Sequence, residues 1–550
     1  MRHTIIVIME LPDGKIQGYL FVKNFLCVLF SIVHFIIVSL LLFTAGSTDY
    51  YIKRYQLYPN IAYVITGLLI TLLVCLVILK CGKAFSVWFI KHNKTVIITT
   101  LSLFFILSVF ICVSGFFYSD WDPLAILNAV HDILKGQPEK VGTAYFSNHP
   151  NNLLLVWIYL TVMRMTGLFG INSVLVLVVF QCLIATVSAF IFWRVSYDIF
   201  KDDPLISYIG LLIFEVWIVL SPWFIITYSD EAGIAFPLLI LRIYQRMTRQ
   251  EIKDFTGWAL MSVVSIFGYF IKPQIVIAYI ACMLFYVFRN LNEDKKRKLM
   301  CVVCSVSTIA VTAIFVKGII IPSMGIKLDG DRSFGMAHYF MMGLNDETDG
   351  VYSDDDTLYT DSFNSPAEKR KADMAVAYER IKNYGLTGLL EHAKKKTLVN
   401  YNDGLFAWGV DGKFFAGRES EDLGDVPEMA TTGLLWSFIM PEGSNHGKYS
   451  SFLQMIWLTV LSMSFICAVI ITVSLFSKES DTSPGKYSLI GNNEIYVVML
   501  AIIGLSLFEI LFEAKARYLF IYTPYYLLLA ISVFYFIAKF HQEKNIRDSS

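Results

Sequence analysis

The sequence predicts an all-α polytopic membrane protein, and two observations support this fold class. Of the 550 residues, 56% are hydrophobic and only 16% are charged, whereas soluble domains average about 25% charged residues. Apolar runs of roughly 20 residues, the length of a helix that crosses the hydrocarbon core, recur along nearly the whole chain. The formal net charge is zero, so no overall field favours nucleic acid as a partner.

About twelve apolar runs are predicted to span the membrane. They are 20–44, 61–80, 94–118, 171–193, 204–222, 232–248, 257–272, 274–290, 299–321, 453–476, 492–512 and 518–538. The first run is too long for the core of a signal peptide, so we expect it to be retained as a span. A further apolar run, 150–168, is ambiguous by hydropathy alone.

The distribution of lysine and arginine decides how the run 150–168 lies. Cytoplasmic loops of membrane proteins carry an excess of these residues. The basic clusters are at 80–94, 194–201, 242–253, 289–298 and 539–547. They share one side only if 150–168 lies along the outer surface as a juxtamembrane helix. The sequence then predicts a plasma-membrane protein with both termini in the cytoplasm. A first loop (residues 119–170) and a long loop (residues 323–452) are predicted outside.

Polar residues gather on the segments that are predicted to face outward. A charge at membrane depth costs about 2.5–3.5 kcal/mol on insertion scales and usually marks function. The candidate site residues are Asp120, Asp122 and His149 in the first loop, Asp230 and Glu231 at the start of a span, Lys272 between two spans, His338 in the long loop, and Glu513, Lys515 and Arg517 before the last span.

Each candidate also has a structural interpretation. Asp122 precedes Pro123 and is suited to cap a helix, which makes Asp120 the better chemical candidate. Helix dipoles favour acids at the position of Asp230, and Lys272 can extend to the membrane interface. A local structural role is as reasonable for the two histidines as ligand binding is. The acids and bases nevertheless all fall on one predicted side, which favours a shared site.

Several motifs in this order resemble a known superfamily. They are the Asp-Trp-Asp of the first loop, "NHPNNLLL" (148–155), the Asp230–Glu231 pair, "HYFMMGLN" (338–345), "NYNDGLFAW" (400–408) and "EAKARY" (513–518). Together they resemble the GT-C superfamily of membrane glycosyltransferases, which includes the aminoarabinose transferase of lipid A and the protein O-mannosyltransferases. The last three look like bacterial relatives of the glycosyltransferase 39 type. The resemblance covers roughly residues 94–540.

The resemblance implies a GT-C fold with four regions. These are an additional two-span region (1–93), a transmembrane module with the first loop (94–322), the long loop (323–452) and a three-span region (453–550). It also implies inverting transfer of a sugar from a polyprenyl-phosphate donor to a hydroxyl of a glycan, lipid or protein. Asp120 or Asp122 would be the general base, and the other candidates would bind donor or acceptor. No cofactor is certain, and a divalent metal at the acids stays open.

Two other functions remain alternatives at this point. A transporter or flippase of lipid-linked saccharides would also carry charges at membrane depth, and it is expected to show internal repeats and broken helices. A polysaccharide polymerase or ligase would rely more on basic residues in a large outer loop. The clustering of acids at one predicted surface favours the glycosyltransferase.

Overall fold

The chain is almost entirely helical in the computed structural model, which describes residues 13–43, 56–201, 203–289, 295–417, 432–476 and 492–549. Its helices are α1 (Asp13–Phe43), α2 (Asn60–Gly115), α3 (Asp122–Leu134), α4 (Thr143–Asn148), α5 (Leu153–Gly167), α6 (Leu175–Ile199), α7 (Pro204–Phe214), α8 (Ser229–Gly233), α9 (Ala235–Thr248), α10 (Asp254–Tyr269), α11 (Val276–Arg289), α12 (Lys295–Phe315), α13 (Met336–Met342), α14 (Asp354–Asp361), α15 (Pro366–Tyr401), α16 (Trp408–Asp411), α17 (Thr432–Ile439), α18 (His446–Phe476), α19 (Asn493–Leu511) and α20 (Thr523–Ser549). Two short strands, β1 (Tyr118–Ser119) and β2 (Phe415–Gly417), pair with each other.

Seven helical segments of the described residues are long and apolar enough to cross a membrane. They are Phe21–Phe43, Asn60–Gly115, Leu175–Ile199, Lys296–Met324, His446–Leu475, Asn493–Leu511 and Ala516–Gln542. The predicted all-α polytopic membrane architecture is therefore confirmed, whereas the predicted number of spans is not reached by this criterion.

Two features account for the difference from the predicted twelve spans. The predicted spans 61–80 and 94–118 belong to one helical segment, α2. The predicted spans 204–222, 232–248, 257–272 and 274–290 correspond to α7, α9, α10 and α11, with 11, 14, 16 and 14 residues. At 1.5 Å per residue these helices are about 17–24 Å long, which is shorter than the roughly 30 Å hydrocarbon core. The run 150–168 forms α5, whose 15 residues also fall short of a span.

The two ends of α2 meet the same part of the chain, although the segment has 56 residues. Near its start, Asn60 Nδ2 donates a hydrogen bond to Asn402 Oδ1 at 2.7 Å. Just beyond its end, the ring centroid of Phe117 lies 6.2 Å from that of Trp408. A straight helix of this length would extend about 84 Å, whereas the six residues from Asn402 to Trp408 span at most about 22 Å. The segment therefore turns back on itself.

Tyr208 of α7 shows where α2 reverses. Its ring centroid lies 5.7 Å from that of Phe85, and its hydroxyl lies 3.1 Å from Thr100 Oγ1. Those two residues would be about 22 Å apart along a straight helix, too far to contact the same side chain. The reversal lies in the basic stretch between the two predicted spans, so that stretch turns while staying helical.

The first loop and the long loop meet at one end of the bundle, called the loop end below. Strand β1 of the first loop pairs antiparallel with β2 of the long loop, with Tyr118 opposite Gly417. Beside this pair, the Asp120 N–H donates to the Phe414 carbonyl at 2.9 Å. A second link joins the Asp329 N–H to Ser147 Oγ at 2.9 Å. The two loops thus form one layer over the helix ends.

The long loop has a polar framework of its own. Arg380 donates from both terminal nitrogens to the carboxylate of Asp356, at 2.7 and 2.9 Å. Within α15 the backbone leaves helical geometry at Gly385, where φ is +57°, a conformation that glycine adopts at little cost. The part of α15 beyond Gly385 leads down to Asn402 and the bundle.

The segment after α15 depends on a close backbone approach at Gly404. A Cβ placed there would lie 2.6 Å from the Leu453 carbonyl oxygen and 2.7 Å from Gln454 Cα. The Gly404 N–H also donates to Gln454 Oε1 at 2.7 Å. A side chain at this position would therefore push the segment away from α18.

We expect Gly404→Ala to lower the free energy of unfolding by about 1–3 kcal/mol, the usual cost of forced overpacking. Denaturant titration of the purified protein in detergent measures this change. The matched control is Gly330→Ala, because a Cβ at Gly330 meets no described atom within 4 Å. Equal stability of the two variants would contradict the close approach.

Candidate functional site

An ion-pair cluster at the loop end joins three segments that are far apart in the sequence. The Asp230 carboxylate lies 2.5 Å from Lys272 Nζ through Oδ1 and 3.9 Å from Arg517 Nε through Oδ2. The side chain of Asp230 has no exposed surface, and those of Lys272 and Arg517 are almost buried. Buried carboxylates are tolerated when cations balance them. The structure thus brings three of the predicted site residues together.

The local sequence explains how Asp230 and Lys272 are placed. Asp230 and Glu231 lie in the first turn of α8, which leads directly into α9, and the positive end of a helix dipole favours acids there. Lys272 follows α10, and its N–H donates to the Gly268 carbonyl at 2.7 Å. The close approach lies at Gly268, where a Cβ would be 2.5 Å from Ile275 Cγ2. The absence of a side chain at Gly268 therefore allows the turn that carries Lys272 to pack against the end of α10.

Glu231 is fully buried beside the cluster, and its carboxyl oxygens form no hydrogen bond with the described residues. Burial, followed by the neighbouring charge of Asp230, raises the pKa of Glu231 well above its usual value. This shift favours the protonated carboxyl group, which is a hydrogen-bond donor. In that form Glu231 can donate to a hydroxyl or carbonyl oxygen of a ligand.

Asp411 of the long loop belongs to the same cluster, and the sequence analysis did not identify it. Its carboxylate lies 2.9 Å from Lys515 Nζ and 3.3 Å from Arg517 Nη1. The single turn of α16 carries this carboxylate into the cluster. The sequence signal that was missed is the need of Lys515 and Arg517 for a counterion, which a distant loop supplies.

The two acids of the first loop have different environments. Asp122 lies in the first turn of α3, and its Oδ2 accepts a hydrogen bond from the Tyr228 hydroxyl at 2.6 Å. The side chain of Asp120 is exposed. Trp121 occupies the N-cap position of α3, so the expectation that Asp122 serves as the cap is not met. Asp122, rather than Asp120, contacts the residues around the cluster.

Trp121 and Tyr228 connect Asp122 to the cations. Their rings meet edge to face, with centroids 4.8 Å apart. The Arg517 guanidinium lies 4.5 Å from the Trp121 ring and 5.3 Å from the Tyr228 ring, and Lys272 Nζ lies 5.4 Å from the Tyr228 ring. Aromatic faces attract cations at these distances. Tyr228 therefore binds Asp122 through its hydroxyl and the cations through its ring.

Tyr145 and His149 lie beside Asp122 in the first loop. Burial raises the pKa of Tyr145, and the charge of Asp122 adds to this effect. Burial lowers the pKa of His149, which favours the neutral imidazole. The hydroxyl of Tyr339 in the long loop lies 3.4 Å from His149 Nδ1. His149 thus lies where the two loops meet, at the edge of the site.

Glu513 lies apart from the ion pairs of Lys515 and Arg517. It is buried, and within the part of the chain that the structure describes it forms no ion pair. In the same region, Lys396 of α15 donates to three carbonyl oxygens, those of Gly343, Ile510 and Phe512. Helices end with carbonyls that lack a partner in the helix. Lys396 therefore supplies hydrogen-bond donors to the carbonyls at the end of α19. The sequence pattern did not distinguish it from its neighbours.

His338 belongs to a polar network inside the long loop. Its Nδ1 lies 2.8 Å from Thr360 Oγ1, and Thr360 donates to Asp373 Oδ1 at 2.8 Å. The Thr360 hydroxyl also lies 3.1 Å from the Asp356 carbonyl oxygen, and when it donates to either oxygen, His338 Nδ1 is the donor to Thr360. Burial, with a smaller contribution from His149, lowers the pKa of His338 to about 4. His338 thus takes part in the internal network of the long loop, in agreement with the structural role that the sequence left open beside ligand binding.

The described residues include no group of three or more His, Cys, Asp or Glu side chains arranged to hold a metal ion. Asp230 and Asp411 are instead neutralised by lysine and arginine. The donor set for the divalent metal that the sequence left open is therefore not assembled around these acids.

The Asp230–Lys272 pair is expected to behave as a coupled unit. Removing one partner of a buried pair costs about 3–5 kcal/mol because the other charge is left unbalanced. We expect Asp230→Asn and Lys272→Met each to lower the free energy of unfolding by this order. We expect the double variant to be more stable than the sum of the two losses implies by at least about 1 kcal/mol. Denaturant titration in detergent measures all four proteins, and additive losses would contradict the pairing.

The pKa of His338 predicts a pH dependence of stability. Since the folded pKa is about 4 and the unfolded value is about 6.5, the unfolded chain binds more protons between these values. Stability is therefore complete above about pH 6.5 and falls as the pH decreases towards 4, by about 2 kcal/mol at pH 5. We expect His338→Gln to remove this part of the decrease in unfolding free energy. The control is His541→Gln, an exposed histidine, which should keep the wild-type profile; a wild-type profile in His338→Gln would exclude the assignment.

Comparison with known proteins places the chain in one family. A family model described as "Conserved hypothetical integral membrane protein" matches residues 19–535, a range that includes every residue of the cluster. No curated protein and no solved structure matches the chain. The chain therefore belongs to this family of conserved hypothetical integral membrane proteins.

Proposed function

We propose that this protein is a membrane glycosyltransferase that moves a sugar from a polyprenyl-phosphate-linked donor to a hydroxyl acceptor. One observation supports this most strongly: a first-loop carboxylate and three cations meet around a single pair of aromatic rings. Asp122 can take a proton, and Lys272, Lys515 and Arg517 can balance a phosphate. Displacement of a phosphate by a hydroxyl at a sugar carbon requires both kinds of group close together.

The cations suit a leaving phosphate. Such a group departs as an anion, so it requires positive charge rather than a proton. The planar guanidinium of Arg517 can bind two phosphate oxygens at once. Lys515 is the most accessible of the three, with 18% of its side chain exposed. Asp230, which pairs with both Lys272 and Arg517, would keep Arg517 in place, and Lys272 would add to the positive field.

Asp122 is the proposed general base. As the acceptor oxygen attacks the anomeric carbon, its proton passes to the Asp122 carboxylate while the bond from carbon to phosphate oxygen breaks. A single displacement of this kind inverts the anomeric centre. The hydrogen bond from Tyr228 to Oδ2 orients the carboxylate. Glu231 is placed to donate a hydrogen bond to a sugar hydroxyl.

We place the site on the outer face of the plasma membrane, with about twelve spans once the short helices and the two halves of α2 are counted. The opposite end of the bundle supports this orientation. There, the stretch 242–253 carries four basic residues and one acid, and both Arg242 and Arg249 pair with Asp198 of α6. An excess of basic residues is typical of the cytoplasmic side. In this arrangement the donor lies in the membrane and the acceptor, a glycan, lipid or protein, comes from outside.

One observation favours a second function, the transport of a lipid-linked saccharide. Glu215 is fully buried in the π-helical turn Glu215–Val219, and its carboxyl oxygens have no hydrogen-bond partner among the described residues. Both π-helical turns and buried acids inside membranes are frequent at functional sites. The two functions differ in their products. In proteoliposomes, a flippase moves the intact lipid-linked saccharide between leaflets, whereas a transferase forms a new glycosidic bond.

Asp122→Asn tests the proposed base. We expect turnover to fall about 10²- to 10⁴-fold with little change in donor KM, because an amide cannot take the proton. The assay uses polyprenyl-phosphate hexoses and pentoses with a labelled sugar as donors. Membranes of cells that lack the protein supply the acceptor, and the transfer of label to them is measured. Mass spectrometry of envelope glycans from cells with and without the protein identifies the product.

The matched control is Asp120→Asn, which removes an exposed acid two residues away. We expect its turnover to stay within about threefold of wild type, since the usual effect of losing a general base is far larger. Loss of transfer in Asp120→Asn alone would move the base to Asp120. Wild-type rates in both folded variants would reject the mechanism.

A further inference from the structure

Asp411 binds the two cations that are nearest to the first loop. Its carboxylate reaches Lys515 Nζ at 2.9 Å and Arg517 Nη1 at 3.3 Å, and its own side chain is only 2% exposed. Both cations also contact the ring of Trp121, at 6.0 Å for Lys515 and 4.5 Å for Arg517. An acid of the same chain thus lies where the proposed function requires a phosphate.

The cations of the cluster already have carboxylate partners within the chain. Asp230 pairs with Lys272 and Arg517, and Asp411 pairs with Lys515 and Arg517. Asp230 is fully buried between two cations and cannot leave without exposing them. Asp411 is different, because its partner Lys515 is partly exposed. An anion that enters the site has to replace Asp411 before it gains the full attraction of Lys515 and Arg517.

The segment that carries Asp411 is held firmly on one side. Asp403 accepts hydrogen bonds from the N–H groups of Leu405 and Ala407 at 2.9 and 2.7 Å. These bonds fix Phe406 and Ala407 at φ values of +54° and +68°, which residues with side chains seldom adopt. Trp408 Nε1 donates to the Ile439 carbonyl at 2.8 Å. The segment is therefore anchored up to Trp408.

Beyond Trp408 the backbone is also held, because the Asp411 N–H donates to the Ala407 carbonyl at 2.9 Å and the Gly412 N–H donates to the Trp408 carbonyl at 2.8 Å. The backbone then continues to β2, which pairs with β1. The Asp411 carboxylate itself forms ion pairs with Lys515 and Arg517, so a rotation of this side chain alone would release the cations without moving the backbone. Arg517 would remain in place, since Asp230 and the aromatic pair hold it from the other side.

We propose that Asp411 is a displaceable counterion that occupies the phosphate site of the donor in the ligand-free protein. This inference rests on the proposed function, because it assumes that the ligand of Lys515 and Arg517 is a lipid-linked phosphate. Asp411 keeps the two cations paired when no donor is present. The apparent affinity for the donor is then the intrinsic affinity multiplied by the fraction of molecules in which Asp411 has left the site.

The test compares the binding of a polyprenyl monophosphate with that of the uncharged polyprenol. The proteins are wild type, Asp411→Asn and Asp411→Ser, each as the full chain in nanodiscs. We expect both variants to bind the phosphate about five- to tenfold more tightly than wild type, as removal of one competing charge near the surface implies. Binding of the polyprenol should be the same in all three.

The matched control is Asp361→Asn. Asp361 is also a carboxylate of the long loop that bridges two cations, Arg332 at 3.0 Å and Lys369 at 3.6 Å. Its loss should leave the affinity for the phosphate at the wild-type value. A general effect of removing negative charge from the long loop would tighten binding in this control as well, and that result would overturn the inference.

The outcomes separate the inference from the proposed function. If wild type prefers the phosphate over the polyprenol and the folded Asp411 variants bind it no more tightly, Asp411 positions the cations and the inference is wrong, while the proposed function stands. If neither the wild type nor the variants prefer the phosphate, both are wrong. If neither variant folds, Asp411 is a structural counterion and the inference fails. If the Asp411 variants bind the phosphate more tightly than wild type and Asp361→Asn does not, the inference is supported. This holds also where wild-type binding is too weak to measure.

Discussion

The buried pair of Asp230 and Lys272, completed by Arg517, is the constraint on which the rest of the loop end depends. Removing a carboxylate from water costs several kcal/mol, and nearby cations offset that cost only when the geometry is good. Asp230 has no exposed surface, so its partners cannot shift without leaving a charge unbalanced. This requirement fixes α8, the junction of α10 with α11, and the turn before α20 relative to one another. Arg517 in turn contacts the ring of Trp121 and the carboxylate of Asp411.

The aromatic pair explains how acids and cations can lie close together without all neutralising each other. Asp122 forms no ion pair within the described residues, and it accepts a hydrogen bond from the hydroxyl of Tyr228. The ring of the same tyrosine lies 5.3 Å from the Arg517 guanidinium and 5.4 Å from Lys272 Nζ. The arrangement therefore keeps a carboxylate without a cation partner near the positive charges, as the proposed transfer requires.

Much of this arrangement could be predicted from the sequence, because hydropathy and the positions of charged residues are local properties. They predicted a helical membrane protein, and their candidate residues include Asp122, Asp230, Lys272 and Arg517, which the structure brings together. Between the two acids of the first loop they favoured Asp120, because Pro123 suggested a capping role for Asp122. The continuous helicity of α2 was not predictable, since its basic stretch resembles an ordinary loop. Asp411 and Lys396 were missed for a different reason. Each acts through a partner more than a hundred residues away, and no spacing along the chain reports such a contact. The sequence left both a structural role and ligand binding open for His338, because a histidine beside aromatic residues has the same pattern in a binding site and in a structural network.

The contacts of Lys396 have a consequence for the biogenesis of the protein. Two of the three carbonyls that it binds belong to Ile510 and Phe512, which are synthesised 114 and 116 residues later. Asp411 likewise waits for Lys515 and Arg517. A nascent chain that has already produced the long loop therefore holds an amine that lacks two of its three carbonyl partners and a carboxylate whose cations do not yet exist. Contacts of such long sequence separation form late. The long loop is thus expected to mature only after the C-terminal helices have left the ribosome and entered the bilayer, so a chain that terminates before α19 would carry an unfinished domain for the quality-control proteases to recognise.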